Sequence, residues 1–140
     1  MPAIEFEVGI GPRVREQLEG EAVVWLTTVS ASQTPQPNLI WFIWDGETVL
    51  VYTQPSAFRL KHVARNNRVS LNFNSDASGS EMSVLTGTAY IDESTPNAID
   101  HPEYIAKYKE GIAQLGMTPK SFSDAYSVAI RIVPERARGF

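Results

Sequence analysis

Residues 50–67 have the sequence LVYTQPSAFRLKHVARNN, in which an apolar strand, a proline break and a short basic helix follow one another. Before the break, Val49, Val51 and Thr53 are expected on one face of a β-strand and Leu50, Tyr52 and Gln54 on the other. Pro55 removes a backbone donor and ends that strand. Ser56 is the predicted N-cap of the helix. The apolar residues of this helix share one face; they are Ala57, Leu60, Val63 and Ala64.

The basic helix carries an unusual cation near its start. Arg59 falls in the first turn, where the helix dipole disfavours a positive charge by roughly 0.3–1 kcal/mol at an exposed site. No acidic residue occurs in residues 48–75, whereas four basic ones do: Arg59, Lys61, Arg65 and Arg68. A phosphate or another anion bound at the helix start would explain this local excess of positive charge. The alternative is a solvated basic helix face, and these residues alone favour neither.

The composition is that of one globular domain. The chain has 140 residues, of which 43% are hydrophobic and 20% charged, and we predict a single domain over residues 1–140. It contains no cysteine, which excludes disulfides and thiolate metal sites. A net charge of −4 disfavours a general nucleic-acid binder. The acidic N-terminus predicts no export signal, and no apolar run suits a membrane helix, so we expect a cytoplasmic protein.

The rest of the chain is predicted to form mostly antiparallel strands. Helices are expected at residues 11–20, 102–115 and just after Thr118, and strands at 21–30, 36–44, 49–54, 68–74, 81–91 and 126–133. Asp45–Gly46 predicts a tight hairpin turn, and Gly87 predicts a bulge or a close backbone approach. Residues 136–140 form a basic tail. Six strands joined mainly by hairpins predict an antiparallel β-barrel rather than a parallel α/β sheet.

Motifs for acid–base, metal or nucleotide chemistry are scarce. The sequence has no glycine-rich phosphate fingerprint and no Gly-x-Ser-x-Gly elbow. Neither His62 nor His101 has a second ligand at metal spacing, so we assign both to surface roles and predict no metal site. The acidic pair Asp92–Glu93 is assigned to solubility. No catalytic side chain can be named from the sequence.

A binding surface is the remaining possibility. The strand at residues 36–44 carries bulky side chains on both faces. Such a strand is typically buried on both sides, within the fold or beneath a partner subunit. An aromatic-rich strand beside an anion-binding helix could equally hold a planar cofactor.

Several segments of the chain carry a family resemblance. They are WLTTV at 25–29, TPQPNLIWFIWDG at 34–46, VYTQPS at 51–56, the run from Arg59 to Phe73, and GTA at 87–89. Together they resemble the split β-barrel flavin-binding superfamily typified by pyridoxamine 5′-phosphate oxidase. Four later segments, at 104–108, 115–119, 126–128 and 136–140, are more similar to the actinobacterial branch of reductases that use the deazaflavin coenzyme F420.

The resemblance implies a mainly β fold, a six-stranded antiparallel split β-barrel with inserted helices, which forms a homodimer with its cofactor sites at the subunit interface. It places the coenzyme ring against two strands and the phosphate at the start of the basic helix. By motif position the cofactor-binding residues are Pro37, Asn38, Leu39, Ile40, Trp41, Val51, Tyr52, Thr53, Gln54, Ser56, Arg59 and Lys61. The last three would hold the phosphate. Arg59 stands where many members carry Lys, and Asn67 replaces the usual Pro.

The implied function is that of an oxidoreductase that binds F420 and transfers hydride to or from a small, mostly apolar substrate. The oligoglutamate tail of F420, which FMN lacks, would meet Lys61, Arg65 and Arg138 of the partner subunit. An FMN-dependent oxidase or reductase is one alternative. A non-catalytic barrel that binds or stores a flavin or haem is another. No nucleic-acid or membrane partner is expected.

Overall fold

The computed structural model describes residues 4–140, and seven strands and four α-helices lie within that range. The helices are α1 at Gly11–Gly20, α2 at Phe58–Arg65, α3 at Pro102–Gln114 and α4 at Pro119–Ala125, with a 3₁₀ turn at Ala98–Asp100. The strands are β1 at Val23–Val29, β2 at Pro35–Trp41, β3 at Ile43–Trp44, β4 at Val49–Thr53, β5 at Arg68–Asn72, β6 at Ser83–Ile91 and β7 at Val128–Gly139.

The strands form one antiparallel sheet in the order β2-β1-β5-β6-β7-β4-β3. Its two edge strands, β2 and β3, are consecutive in the chain and only Phe42 separates them. This stretch pairs with β1 through Trp41 and Val23, and with β4 through Ile43 and Leu50. The sheet therefore curls into a barrel whose edges meet at Phe42. The predicted mainly β, antiparallel barrel is confirmed, but the expected strand at 36–44 is broken, so residues 4–140 contain seven strands rather than six.

Side chains of α3 hold the break at Phe42. Phe42 is fully buried, and its backbone belongs to neither ladder. Its N–H donates to the Tyr108 hydroxyl at 2.8 Å, and its carbonyl accepts from Lys107 Nζ at 2.9 Å. The Tyr108 hydroxyl also lies within donating distance of two carbonyls, that of Ala22 at 2.7 Å and that of Phe42 at 2.8 Å. Helix α3 thus supplies the partners that a buried backbone needs and that no strand provides here.

Two hydrophobic clusters lie on the two faces of the sheet. Within residues 4–140 the first cluster contains sixteen buried residues, which include Leu26, Phe42, Val51 and Leu71 of the barrel and Val14, Leu18 and Val63 of α1 and α2. The second cluster packs the outer face of β4 and β7 against α3 and α4; it contains Leu50, Tyr52, Ala98, Tyr104, Tyr108, Ile112, Phe122 and Ala129. Strand β4 alternates between the two clusters and is therefore buried along its whole length. The expected burial of residues 36–44 within the fold is found in part: Ile40 and Phe42 are buried, 41, 43 and 44 are half-buried, and residues 35–39 are exposed. Burial of 35–39 beneath a partner subunit stays a prediction.

The close approach predicted at Gly87 is present. The register between β6 and β7 shifts between Thr86 and Gly87. A Cβ atom at position 87 would overlap the carbonyl oxygen of Val133 and lie 3.0 Å from Pro134 Cα. Only glycine lets β7 pass this close, which confirms the bulge.

Two predictions about local structure are wrong. Helix α2 begins at Phe58 with Ala57 as its N-cap, and no side chain caps it. Ser56 lies one residue too early, because the chain is still in the turn that follows β4. Residues 136–140 are not a separate tail, since β7 continues to Gly139 and pairs there with Ser83 of β6.

The histidines and Asp92 have structural roles that the sequence did not predict. His62 is half-buried, with Nδ1 2.9 Å from the Thr28 hydroxyl. His101 caps α3, because its Nδ1 accepts from the Tyr104 N–H at 3.2 Å. Asp92 accepts hydrogen bonds from Ser94 and Thr95 and pairs with Arg131. The assignment of both histidines to surface roles and of Asp92 to solubility was therefore incorrect, whereas Glu93 is exposed, as its assignment to solubility expects. Within residues 4–140, no helix is long and apolar enough to cross a membrane.

Candidate functional site

A groove of about 320 Å³ lies between strand β2, strand β4 and helices α2, α3 and α4. The residues that line it are Leu39, Ile40, Trp41, Tyr52, Arg59, Tyr104, Leu115, Phe122 and Tyr126. Five of these residues belong to the predicted cofactor-binding set: Leu39, Ile40, Trp41, Tyr52 and Arg59. The fold therefore gathers residues from both predicted strands and from the basic helix around one space.

The floor of the groove is a layer of packed aromatic rings. Trp41 stacks on Tyr108, with ring centroids 4.6 Å apart and planes 5° apart. Phe122 stacks on Tyr126 at 4.4 Å and lies 5.6 Å from Trp41. Tyr104 and Phe122 are almost fully buried. Rings packed in this way form an apolar and rigid floor, which suits a flat ligand.

The rim of the groove is apolar and open. Leu39 on β2 is 48% exposed, and Leu115, which follows α3, is 54% exposed. Large apolar side chains exposed beside a concave site are typical of surfaces that a ligand or a partner covers.

Among the residues that line the groove within 4–140, only Arg59 carries a permanent charge. Its guanidinium is half-buried, and burial lowers its pKa, while the nearby Tyr126 acts in the opposite direction. The guanidinium stays charged at any physiological pH. Within residues 4–140 the ion pairs involve other cations and leave Arg59 without a carboxylate. A half-buried, unpaired guanidinium is available for charge-assisted hydrogen bonds to an anionic ligand.

Two tyrosines of the groove, Tyr52 and Tyr104, stay protonated near neutral pH. Burial raises the pKa of Tyr52 to about 12, and it also raises the pKa of Tyr104. The Tyr52 hydroxyl donates to the Pro96 carbonyl at 2.6 Å, which holds that loop against the ring. These phenols can therefore pack and donate, but they do not accept protons.

Seven predicted cofactor residues do not line the groove: Pro37, Asn38, Val51, Thr53, Gln54, Ser56 and Lys61. Val51 and Thr53 are buried, and the other five are exposed. Lys61 lies with its Nζ 5.9 Å from the centroid of the Phe58 ring. Of the predicted phosphate trio, only Arg59 reaches the groove, and the assignment of Ser56 and Lys61 to the cofactor stays a prediction.

Four lining residues were not predicted as site residues: Tyr104, Leu115, Phe122 and Tyr126. In the sequence, Tyr104 and Leu115 fall at the apolar spacing of a helix, and a stripe at helical spacing looks the same whether it faces a core or a ligand. The signal that could have found them is their position in or near the later segments of the family resemblance. Among residues 4–140, no group of three or more His, Cys, Asp or Glu side chains is placed to hold a metal ion.

Sequence and structure comparisons relate the chain to known proteins. A family model described as pyridoxamine 5′-phosphate oxidase matches residues 10–140. No curated protein is significantly similar in sequence.

Three solved structures share the fold. A Listeria innocua protein named for pyridoxamine 5′-phosphate oxidase has a TM-score of 0.70 at 24% identity, over 94% of this chain and 98% of that chain. A structure described as F420 reductase has a TM-score of 0.67 at 19% identity, over 89% and 94%. The haem storage protein HutZ from Vibrio cholerae has a TM-score of 0.63 at 17% identity, over 95% and 94%. These identities show a common fold alone, but the family model spans nearly the whole chain, and the protein therefore belongs to the pyridoxamine 5′-phosphate oxidase family.

Proposed function

We propose that this protein is an oxidoreductase that binds coenzyme F420 at the groove and transfers hydride to or from a small, mostly apolar substrate. The observation that carries the proposal is Arg59, a half-buried guanidinium that has no carboxylate partner within residues 4–140 and lies beside the aromatic floor. The family binds flavins, and an F420 reductase is among the proteins that share the fold.

The residues of the groove fit a flavin-type coenzyme. The stacked rings around Trp41 match a flat heterocycle, and Arg59 matches a phosphate. Within residues 4–140 no side chain caps the start of α2. The Leu60 N–H donates to the Ala57 carbonyl at 3.2 Å, but the N–H groups of Phe58 and Arg59 have no acceptor in that range. Phosphate oxygens suit such donors. The volume, about 320 Å³, is at the small end of ligand pockets and suits part of a coenzyme, with the remainder lying over the exposed surface of α2.

When bound, the coenzyme supplies or accepts the hydride, and the chain supplies its position. Arg59 would anchor the phosphate and so fix where the ring lies along the groove. The buried rings of Tyr104 and Phe122 exclude water from the floor. Since burial raises the pKa of Tyr52 and of Tyr104, both phenols keep their protons near neutral pH and serve to pack against the ligand and to donate hydrogen bonds.

Titration of the purified protein with F420 and with FMN tests the proposal. Replacing Arg59 by Ala should weaken binding of either coenzyme about 10- to 150-fold, because hydrogen bonds to a charged group contribute about 1.5–3 kcal/mol. Arg136→Ala removes an exposed arginine on β7 and serves as the matched control. Equal affinities in the two variants would show that the phosphate is not bound by Arg59.

Contacts to the oligoglutamate tail distinguish binding of F420 from binding of FMN, because FMN has no such tail. Lys61 and Arg65 are exposed on the same helix as Arg59 and would meet the carboxylates of the tail. Arg65→Ala should therefore weaken F420 binding and leave FMN binding unchanged, and the F420 effect should shrink at high salt. A protein that is yellow as purified and binds FMN more tightly than F420 would favour the FMN-dependent alternative.

A non-catalytic haem- or flavin-binding barrel is the second candidate, because HutZ shares the fold over 95% of this chain. The lining residues include no histidine to ligate haem iron. Hydride transfer from reduced F420 to any acceptor would eliminate storage as the sole function.

We also propose that the protein is a cytoplasmic homodimer whose second subunit completes the groove. The exposed stretch of β2 at residues 35–39 and the exposed rim leucines Leu39 and Leu115 support this arrangement, since a partner could cover both. Sedimentation at micromolar concentration should give twice the chain mass of 15.5 kDa. A monomer under those conditions would refute the arrangement.

A further inference from the structure

Helix α3 and strand β2 come into close contact at Gly111. A Cβ atom built at this position would lie 2.9 Å from Trp41 Cζ2 and 3.0 Å from Trp41 Cη2, which is closer than side chains pack. Glycine is a poor residue for the interior of a helix, so helix formation does not explain it. What the missing side chain provides is room for the edge of the indole.

The strand and the helix on either side of this indole are both held in place. The backbone of Trp41 is paired with Val23 of β1. Its ring lies flat on Tyr108, whose hydroxyl is held by the backbone at Phe42. Helix α3 cannot easily retreat, because Tyr104, Tyr108 and Ile112 anchor it in the second hydrophobic cluster. A side chain at position 111 would therefore displace the indole rather than the helix or the strand.

We propose that Gly111 is a positioning residue for the groove: it contacts no ligand, but it lets Trp41 lie flat on Tyr108 and so sets the shape of the aromatic floor. The displaced indole would move off Tyr108 and into the space that it now lines. Only the identity of the bound ligand rests on the proposed function; the placement of Trp41 does not.

The first test needs no ligand. In a protein with Trp25→Phe and Trp44→Phe, Trp41 is the only tryptophan, since the chain has three. Gly111→Ala should change the emission maximum and the acrylamide quenching of Trp41. Gly20→Ala, at the end of α1, is the matched control, because a Cβ atom there meets nothing within 4 Å. If Trp41 emission and quenching in Gly111→Ala match those in Gly20→Ala, the inference is overturned.

The second test uses F420 and FMN as probes, with all three tryptophans present. Gly111→Ala should weaken the binding of whichever coenzyme binds by about tenfold, and Gly20→Ala should not. The double variant Gly111→Ala, Trp41→Phe should bind the coenzyme as tightly as Trp41→Phe alone, because phenylalanine lacks the two crowded atoms. A loss that persists in the Trp41→Phe background would show that Gly111 does not act through Trp41. If the wild type binds neither coenzyme, the proposed function fails, and the fluorescence comparison still decides the role of Gly111.

Discussion

Replacing Tyr108 by Phe should weaken the closure of the barrel. The phenol oxygen accepts from the buried N–H of Phe42 and donates to the carbonyl of Ala22 or of Phe42. Phenylalanine keeps the ring and therefore its stacking on Trp41. The substitution removes only the hydrogen bonds at the point where β2 becomes β3.

The expected loss follows from the burial of Phe42, which is complete. An unsatisfied buried N–H costs about 1–3 kcal/mol, and the lost donation to a carbonyl costs about 0.5–1.5 kcal/mol. Lys107 still donates to the Phe42 carbonyl, which limits the damage. We expect the free energy of unfolding to fall by about 2–4 kcal/mol, which leaves a folded protein if the wild type has ordinary stability.

Urea unfolding followed by circular dichroism measures this loss. With an m-value of about 2 kcal/mol/M, the midpoint should fall by about 1–2 M without a change in slope. Tyr104→Phe is the matched control on the same helix, because its hydroxyl makes no hydrogen bond within residues 4–140, and it should change stability by less than about 0.5 kcal/mol. Equal midpoints for the two variants would refute the reasoning that α3 holds the break at Phe42.

Three further measurements probe other parts of the structure. Hydrogen bonds from the side chain and backbone of Ser94 lower the pKa of Asp92 from 3.8 to about 2. The contribution of Asp92 to stability is therefore complete above pH 3.8 and disappears as the pH falls towards 2. In Asp92→Asn the unfolding midpoint should depend less on pH across this range. Burial lowers the pKa of Lys107 from 10.5 to about 8, with Glu21 acting in the opposite direction. Its charged form is therefore disfavoured in the folded state, and stability should rise as the pH increases from about 8 to 10.5, a rise that Lys107→Met should remove. Gly87→Ala places a methyl group against the Val133 carbonyl and should lower the free energy of unfolding by more than about 3 kcal/mol. Gly20→Ala should be neutral or slightly stabilising. Similar melting temperatures for the two variants would contradict the close approach of β6 and β7.

Much of the local structure could be predicted from the sequence because short-range chemistry determines it. The Asp45–Gly46 turn is one example: Gly46 adopts φ 97°, and the Asp45 carboxylate accepts from the N–H groups of Glu47 and Thr48. Strand β4 is another, because its alternating residues face two clusters. Gly87 was predicted correctly because glycine inside a strand marks a close backbone approach.

The break at Phe42 could not be predicted in the same way. Residues 39–44 are a continuous apolar run without glycine or proline, so no local signal interrupts the strand. The partner that makes the break tolerable is Tyr108, 66 residues away. The N-cap of α2 was missed by one residue for a related reason, since helix ends depend on how the preceding turn leaves the strand.

The sequence by itself determined the family resemblance, the antiparallel barrel and the excess of cations around α2, because periodicity and charge are properties of neighbouring residues. The tertiary structure alone decided that Arg59 stands in the groove while Lys61 lies outside it, and that Tyr104, Phe122 and Tyr126 complete the aromatic floor. A helical stripe of apolar residues has the same pattern whether it faces a core or a ligand. Only the packing of α3 and α4 against β2 and β4 distinguishes the two, because it depends on contacts between residues far apart in the chain.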